Sequence, residues 1–154
     1  MKKELTYEQL LAKAEDYCAR SEHCAAEVME KLYAWGCTDR KQREQIIQSL
    51  EDNNFINTSR YCRAFAHDKL LYQGWGKQKI QMMLRLKHLP EDDIQSALDS
   101  IDPEQYDDVL LKILNSKLAS LRQDEFAKER LIRFLTQRGF EYDRTVKVVE
   151  QILE

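Results

Sequence analysis

Leu131-Ile132-Arg133-Phe134-Leu135-Thr136-Gln137-Arg138-Gly139-Phe140 is the stretch from which the fold reads. Its apolar residues sit three and four apart, which places them on one face of a helix. Gly139 suits the left-handed backbone that follows a helix end. The same pattern occurs twice upstream. Val28, Leu32 and Cys37 carry it first, with Ala34-Trp35-Gly36-Cys37 as the stop. Ile80, Leu84 and Leu89 carry it next, 52 residues later and 51 before Leu131, Leu135 and Phe140. In the middle copy His88 occupies the glycine position and Pro90 supplies the break. The helix that follows continues the match through Ile47 and Leu50, Leu98 and Ile101, and Val149 and Ile152. Self-similarity at a period near fifty residues marks stacked repeats. A unit of that size buries little surface alone and gains from its neighbours.

Helix starts predict nine helices, near 6–20, 22–35, 39–52, 58–72, 76–88, 91–101, 103–122, 125–138 and 142–153. Thr6 and Gln9 form a capping box. Ser21, Asp39, Asn57 or Thr58, Gly76 and Asp143 suit further caps. Pro90 is expected at a first helical position, with Glu91, Asp92 and Asp93 behind it, and Asp102-Pro103 repeats that logic. No alternating strand pattern is present. The fold expected is all-α: three tandem three-helix repeats, 1–56, 57–102 and 103–154, forming an elongated, curved helical array.

Composition agrees. The chain has 154 residues, 43% hydrophobic and 33% charged, with 4 Gly and 2 Pro. Cys18, Cys24, Cys37 and Cys62 form no CxxC pair, and His23 is the one histidine nearby, so free thiols are expected and no metal or cofactor. The opening residues build no apolar secretory core and no run reaches bilayer length, so a cytoplasmic protein is expected, with no membrane contact. The absence of a heptad seam points to a monomer.

Net charge is −3, yet its distribution is uneven. Residues 53–90 hold seven basic side chains (Arg60, Arg63, Lys69, Lys77, Lys79, Arg85, Lys87) and one acid, Asp68. Residues 91–111 hold eight acids and no base. Near-exclusion of one sign over such a length creates a local field.

Several stretches resemble the RecX family. Ser21-Glu22-His23-Cys24-Ala25-Ala26-Glu27-Val28-Met29-Glu30-Lys31-Leu32 followed by Trp35-Gly36-Cys37 resembles its first repeat. Asn54-Phe55-Ile56-Asn57-Thr58-Ser59-Arg60-Tyr61-Cys62-Arg63-Ala64-Phe65 resembles its linking segment, and Gly74-Trp75-Gly76-Lys77-Gln78-Lys79-Ile80 its step into a basic helix. Lys128 to Phe140 resembles its third repeat. Cys37 and His88 depart from the pattern, standing where an aromatic or aliphatic residue and a glycine are usual. The resemblance implies a modulator that binds the RecA–DNA filament in its helical groove and damps its ATPase, strand exchange and coprotease activities, with no catalytic centre of its own.

The basic segment is the first candidate for partner or DNA contact, through Arg60, Arg63, Lys69, Lys77, Lys79, Arg85 and Lys87. Such a face suits an acidic filament surface or the phosphates of single- or double-stranded DNA within it. A solvated face paired to the acidic stretch is the plainer alternative. Arg130, Arg133 and Arg138 extend the basic set, with Asp124, Glu125 and Glu129 near enough to pair with them. Trp75 is expected in the repeat junction and Trp35 in the core. Tyr61, Phe65 and Tyr72 read as one buried stripe, and Phe55-Ile56 as an insertion between the first two repeats. An enzyme is disfavoured: adjacent His23-Cys24 and His67-Asp68 do not face each other on a helix, and no glycine-rich phosphate loop exists. A helical-repeat DNA-binding protein and a generic protein-interaction scaffold stay open as alternatives.

Overall fold

The computed structural model describes residues 4–154 and, among them, contains helices and no strand. The helices are α1 (Tyr7–Arg20), α2 (Ala25–Ala34), α3 (Arg40–Asp52), α4 (Thr58–Gln73), α5 (Lys77–Leu86), α6 (Glu91–Asp99), α7 (Pro103–Ala119), α8 (Ala127–Gln137) and α9 (Tyr142–Leu153). They fall into three successive sets of three. The Thr6–Gln9 capping box is present, and Asp39 and Asp102 accept from backbone amides at the starts of α3 and α7. Asn57 does the same for α4 through the Arg60 amide. Three starts differ from expectation. Ser21 does not open α2 but closes α1 as its C-cap; α2 begins at Ala25 behind Cys24. Its hydroxyl bonds His23 Nε2 at 2.9 Å instead. Glu141, not Asp143, precedes α9, and Pro90 is the residue before α6 rather than its first.

Each set repeats one burial pattern. The first helices bury residues four apart: Leu10, Ala14 and Cys18; Cys62, Ala66 and Leu70; Tyr106, Leu110 and Leu114. The second helices bury Val28 and Leu32, Ile80 and Leu84, Leu131 and Leu135. The third bury Ile46 and Leu50, Ile94 and Leu98, Thr145 and Val149. The second set keeps the register read from sequence, with Leu98 and Ile101 buried, and the third keeps it at Val149 but not at Ile152, which is 37% exposed in the last turn of α9; in the first, Ile47 is only half-buried and Leu50 is the partner of Leu98. The reason is an extra turn. α3 starts six residues before Ile46, whereas α6 and α9 start three residues before Ile94 and Thr145. An added turn keeps the buried face in phase while shifting the numbering.

Packing divides the chain into two compact units, one ending at Tyr61 and the other running from Cys62 to Glu154. In the first, α1, α2 and α3 close over a core that includes Cys37 and Ile56, with Phe55 and Trp35 packed against it. Phe55 and Ile56 therefore belong to this core. Trp35 is half-buried, with the Lys13 ammonium 4.6 Å from its ring. A polar knot closes the same unit. His23 stacks on Tyr17 with ring centres 3.8 Å apart, and its Nδ1 meets Glu27 at 2.8 Å. The Tyr61 hydroxyl and the Cys24 thiol both donate to Glu27 Oε1, at 2.6 and 3.3 Å. Burial, and then the Glu27 carboxylate, push the Tyr61 hydroxyl above its ordinary range. All four cysteines are buried free thiols, and burial raises that of Cys18 to about 11.

In the second unit the stop after each middle helix sets the chain's direction. Gly139 takes φ +96°, with the Phe140 amide reaching back to the Leu135 carbonyl at 3.2 Å. His88 takes φ +59° without being glycine. The start of α5 has no side-chain cap. Its amides find acceptors on the third set: Gly76 donates to the Arg138 carbonyl at 2.7 Å, Lys77 to the Tyr106 hydroxyl at 3.0 Å, and Gln78 to the Gly139 carbonyl at 3.0 Å. A Cβ on Gly76 would lie 2.3 Å from the Gly139 backbone, and one on Gly139 would lie 2.4 Å from Lys79 Cβ. Gly36 has the same left-handed backbone but open space around it. Gly36→Ala is therefore expected to lose about 1–2 kcal/mol, from backbone strain alone. Gly139→Ala should add about 1–3 kcal/mol of overpacking to that strain. Urea titration of each variant checks the order; equal losses at the two positions would refute the close joint.

Candidate functional site

The basic residues do not form one undifferentiated face. Arg60, Arg85 and Arg130 are tied to carboxylates. Arg60, in the first unit, pairs with Glu22 and also donates to the carbonyls of Asn54 at 3.0 Å and Phe55 at 3.3 Å, which makes it a clamp on the segment leading into α4. Arg85 meets Glu91 in a two-pronged contact, with its terminal nitrogen 2.6 Å from Oε1 and Nε 3.0 Å from Oε2. That contact holds the Glu91 carboxyl below its usual range. Arg130 lies 3.2 Å from Asp124. These pairs are the solvated-face alternative made real at Arg60, Arg85 and Arg130.

A different arrangement gathers Lys69, Lys79 and Lys87 in the second unit. Phe65 on α4 and Trp75 in the α4–α5 turn meet edge to face, with centroids 6.2 Å apart. The Lys69 ammonium lies 5.4 Å from the Phe65 ring and 5.0 Å from Trp75. Lys79 stands 4.5 Å from Trp75, and Lys87 5.8 Å from Phe65. The rings hold the cations near one another through their negative faces. Three like charges so gathered make a local positive potential for an anionic partner. Local backbone explains the placement. Gly74 takes φ +66°, and the Trp75 amide returns to the Lys69 carbonyl at 3.0 Å, so the turn folds the tryptophan back over α4. On α5, Ile80 and Leu84 are buried, which rotates Lys79 and Lys87 toward the rings.

Lys77 sits apart, with its ammonium 5.0 Å from the Tyr106 ring, where Arg144 also lies at 5.3 Å. The Tyr106 hydroxyl donates to Glu141 and accepts from the Lys77 amide, and burial raises it above its ordinary range. Arg63 is exposed on α4. Arg133 is exposed on α8. Arg138 reaches the Gln73 carbonyl at 3.2 Å and covers the Phe134 ring at 4.9 Å. The expected buried stripe of α4 is overturned in part. Tyr61 is buried and Phe65 half-buried, but Tyr72 is 80% exposed, because Ala66 and Leu70 set the inward face and Tyr72 falls off it. Lys112 and Lys117 escaped the sequence reading. The signal for Lys117 is its ring partner Phe134, 4.9 Å away, which no spacing along the chain reveals. Among the described residues no cluster of His, Cys, Asp or Glu is built to hold a metal ion, and no helix is long and apolar enough to cross a membrane.

The raised tyrosines give a pH test. Both Tyr61 and Tyr106 are raised, so their contribution is complete below the unfolded value of 10.0 and falls away as pH rises above it. Stability measured by urea titration should decline above that pH. Tyr106→Phe should flatten the decline; an unchanged slope would mean that the hydroxyl's burial does not control it.

Comparison with known proteins places these features in context. The family model described as RecX, second three-helix domain, matches residues 59–98. The regulatory protein RecX of Clostridium perfringens (strain 13 / Type A) is 26% identical over 155 residues, which cover 90% of this chain and 71% of that protein. The regulatory protein RecX of Clostridium botulinum (strain Eklund 17B / Type B) is 33% identical over 131 residues, covering 82% of this chain and 60% of that protein. The chain thus spans between 60% and 71% of the length of these two relatives. The crystal structure of RecX from Lactobacillus salivarius shares the fold, with a TM-score of 0.80 at 18% identity and 96% of each chain covered.

Proposed function

The chain belongs to the RecX family of regulatory proteins, and from that membership we propose that it binds the RecA nucleoprotein filament and inhibits its ATPase, strand exchange and coprotease activities. It would thereby modulate recombinational DNA repair and the SOS response, acting as a monomer in the cytoplasm without a cofactor. The three repeats, 1–56, 57–102 and 103–154, are the units of this reading.

The observation that supports it most directly is the gathering of Lys69, Lys79 and Lys87 around Phe65 and Trp75. A filament offers such a surface two anionic targets, acidic side chains of the protein and phosphates of the DNA. Arg60, Arg85 and Arg130 are assigned to internal pairing, and Lys77 and Arg138 to the joint between α5 and α8. Arg63 and Arg133 extend the surface from their exposed positions.

The test is the ATPase rate of RecA on single-stranded DNA, titrated with this protein. Inhibition is expected at well below one copy per RecA. Reversal of Lys69, Lys79 and Lys87 to Glu should weaken filament binding by at least about tenfold while leaving helicity intact. Arg85→Gln should change it little, since Arg85 already faces Glu91. Unaltered inhibition by the folded triple variant would remove the surface from the reading. Absence of inhibition by the native chain would remove the activity.

A further inference from the structure

A groove of about 530 Å³ lies in the second unit between α4, α7 and α8, apart from the lysine–aromatic cluster. Its aliphatic wall is Leu70, Val109 and Ile113. Three cations stand around it: Lys112, Lys117 and Arg138. None of its lining residues is Asp or Glu, and among the described residues no ion pair joins any of the three cations to a carboxylate. At one end Leu71 and Tyr72 are 44% and 80% exposed, though both are large and partly apolar.

We propose that this groove docks an acidic segment of a partner protein that carries an apolar anchor residue. Charge complementarity selects the acid: three cations around a lining without carboxylates offer charge-assisted hydrogen bonds to incoming carboxylates. The aliphatic wall selects the anchor, because an apolar side chain entering the groove is removed from water against the half-buried Val109 and Ile113, which the buried Leu70 backs. Leu71 and Tyr72 extend that apolar contact beyond the wall. Nucleic acid fits less well. A strand would engage the three cations through its phosphates but leave the aliphatic wall without a partner, and of the two lining rings Phe134 is covered by the Lys117 ammonium and the Arg138 guanidinium, each 4.9 Å from its centre, which leaves Tyr72 as the ring open to a base. Lys112 and Lys117 are exposed and half-buried on α7, so they can turn toward a ligand without disturbing the core.

The experiment uses fluorescence anisotropy with a dye-labelled synthetic peptide of glutamates interrupted by two adjacent leucines. The native chain should bind it, and an all-glutamate peptide of the same length should bind at least about tenfold more weakly. The double variant Lys112→Glu/Lys117→Glu should lose at least about tenfold in affinity with its circular dichroism unchanged. Reversal of Lys69, Lys79 and Lys87 should leave peptide binding as it was, which separates this groove from the filament surface. Absence of filament inhibition by the native chain with peptide binding retained would therefore count against the regulatory reading, on which the groove does not depend. Equal binding of the all-glutamate peptide, or unchanged binding by the double variant, would overturn the proposal. So would displacement of the peptide by oligothymidylate whose own binding the double variant abolishes, because the occupant would then be nucleic acid.

Discussion

The backbone of Gly76 rests directly on that of Gly139, and much of the second unit follows from the contact. A helix start exposes amides that its own ladder cannot satisfy, and a helix end exposes carbonyls in the same way. Here each supplies what the other lacks. The Gly76 and Gln78 amides meet the carbonyls of Arg138 and Gly139, while the Tyr106 hydroxyl takes the Lys77 amide between them. The positive end of α5 thus faces the negative end of α8, so the macrodipoles reinforce the hydrogen bonds. No side chain fits in the interface at either glycine. The α5 start therefore has no cap of its own, and its order depends on the third set of helices being in place.

That dependence explains what was legible along the chain and what was not. Stripes such as Ile80 and Leu84 or Leu131 and Leu135 are local consequences of helical periodicity, and the structure buries them as the spacing requires. The left-handed stops at Gly36 and Gly139 are likewise local, and His88 adopts the same conformation despite its Cβ. The misreadings share a different origin. Ser21 has the chemistry of a cap, but His23 and Cys24 are drawn to Glu27 and α2 starts later. Ile47 matches Leu98 in type and spacing, yet an added turn in α3 makes Ile46 the buried residue. Tyr72 lies at a plausible helical interval from Phe65, but Ala66 and Leu70 determine which face turns inward. In each case a nearby competing partner, a helix length or the residues that set the inward face decided the outcome, and spacing alone reveals none of these.

The candidate surface was legible as a quantity of charge and not as an arrangement. Counting bases and acids identifies the central segment as basic. It cannot separate Arg85, held by Glu91, from Lys79, held over Trp75. The difference matters physically. A cation beside a carboxylate has its charge largely cancelled, so an incoming anion must compete for it. A cation above an aromatic ring keeps its full charge, because the ring supplies only a quadrupole. Proximity to Trp75 thus concentrates the ammonium groups of Lys69 and Lys79 without neutralising them.

The same distinction ties surface chemistry to the joint. Trp75 occupies the turn between Gly74, whose φ is positive, and Gly76, which must lie against Gly139. The ring that holds Lys69 and Lys79 is therefore positioned by two glycines with separate duties, one conformational and one steric. Arg138 connects the same turn to the groove, since its carbonyl accepts from Gly76 while its guanidinium reaches the Gln73 carbonyl and the Phe134 ring. A change at the joint moves both surfaces together. A charge change at Lys79 or Lys117 alters one and leaves the backbone contact untouched. Binding effects that accompany lost stability consequently report on the joint, and those that appear at full stability report on the cations themselves.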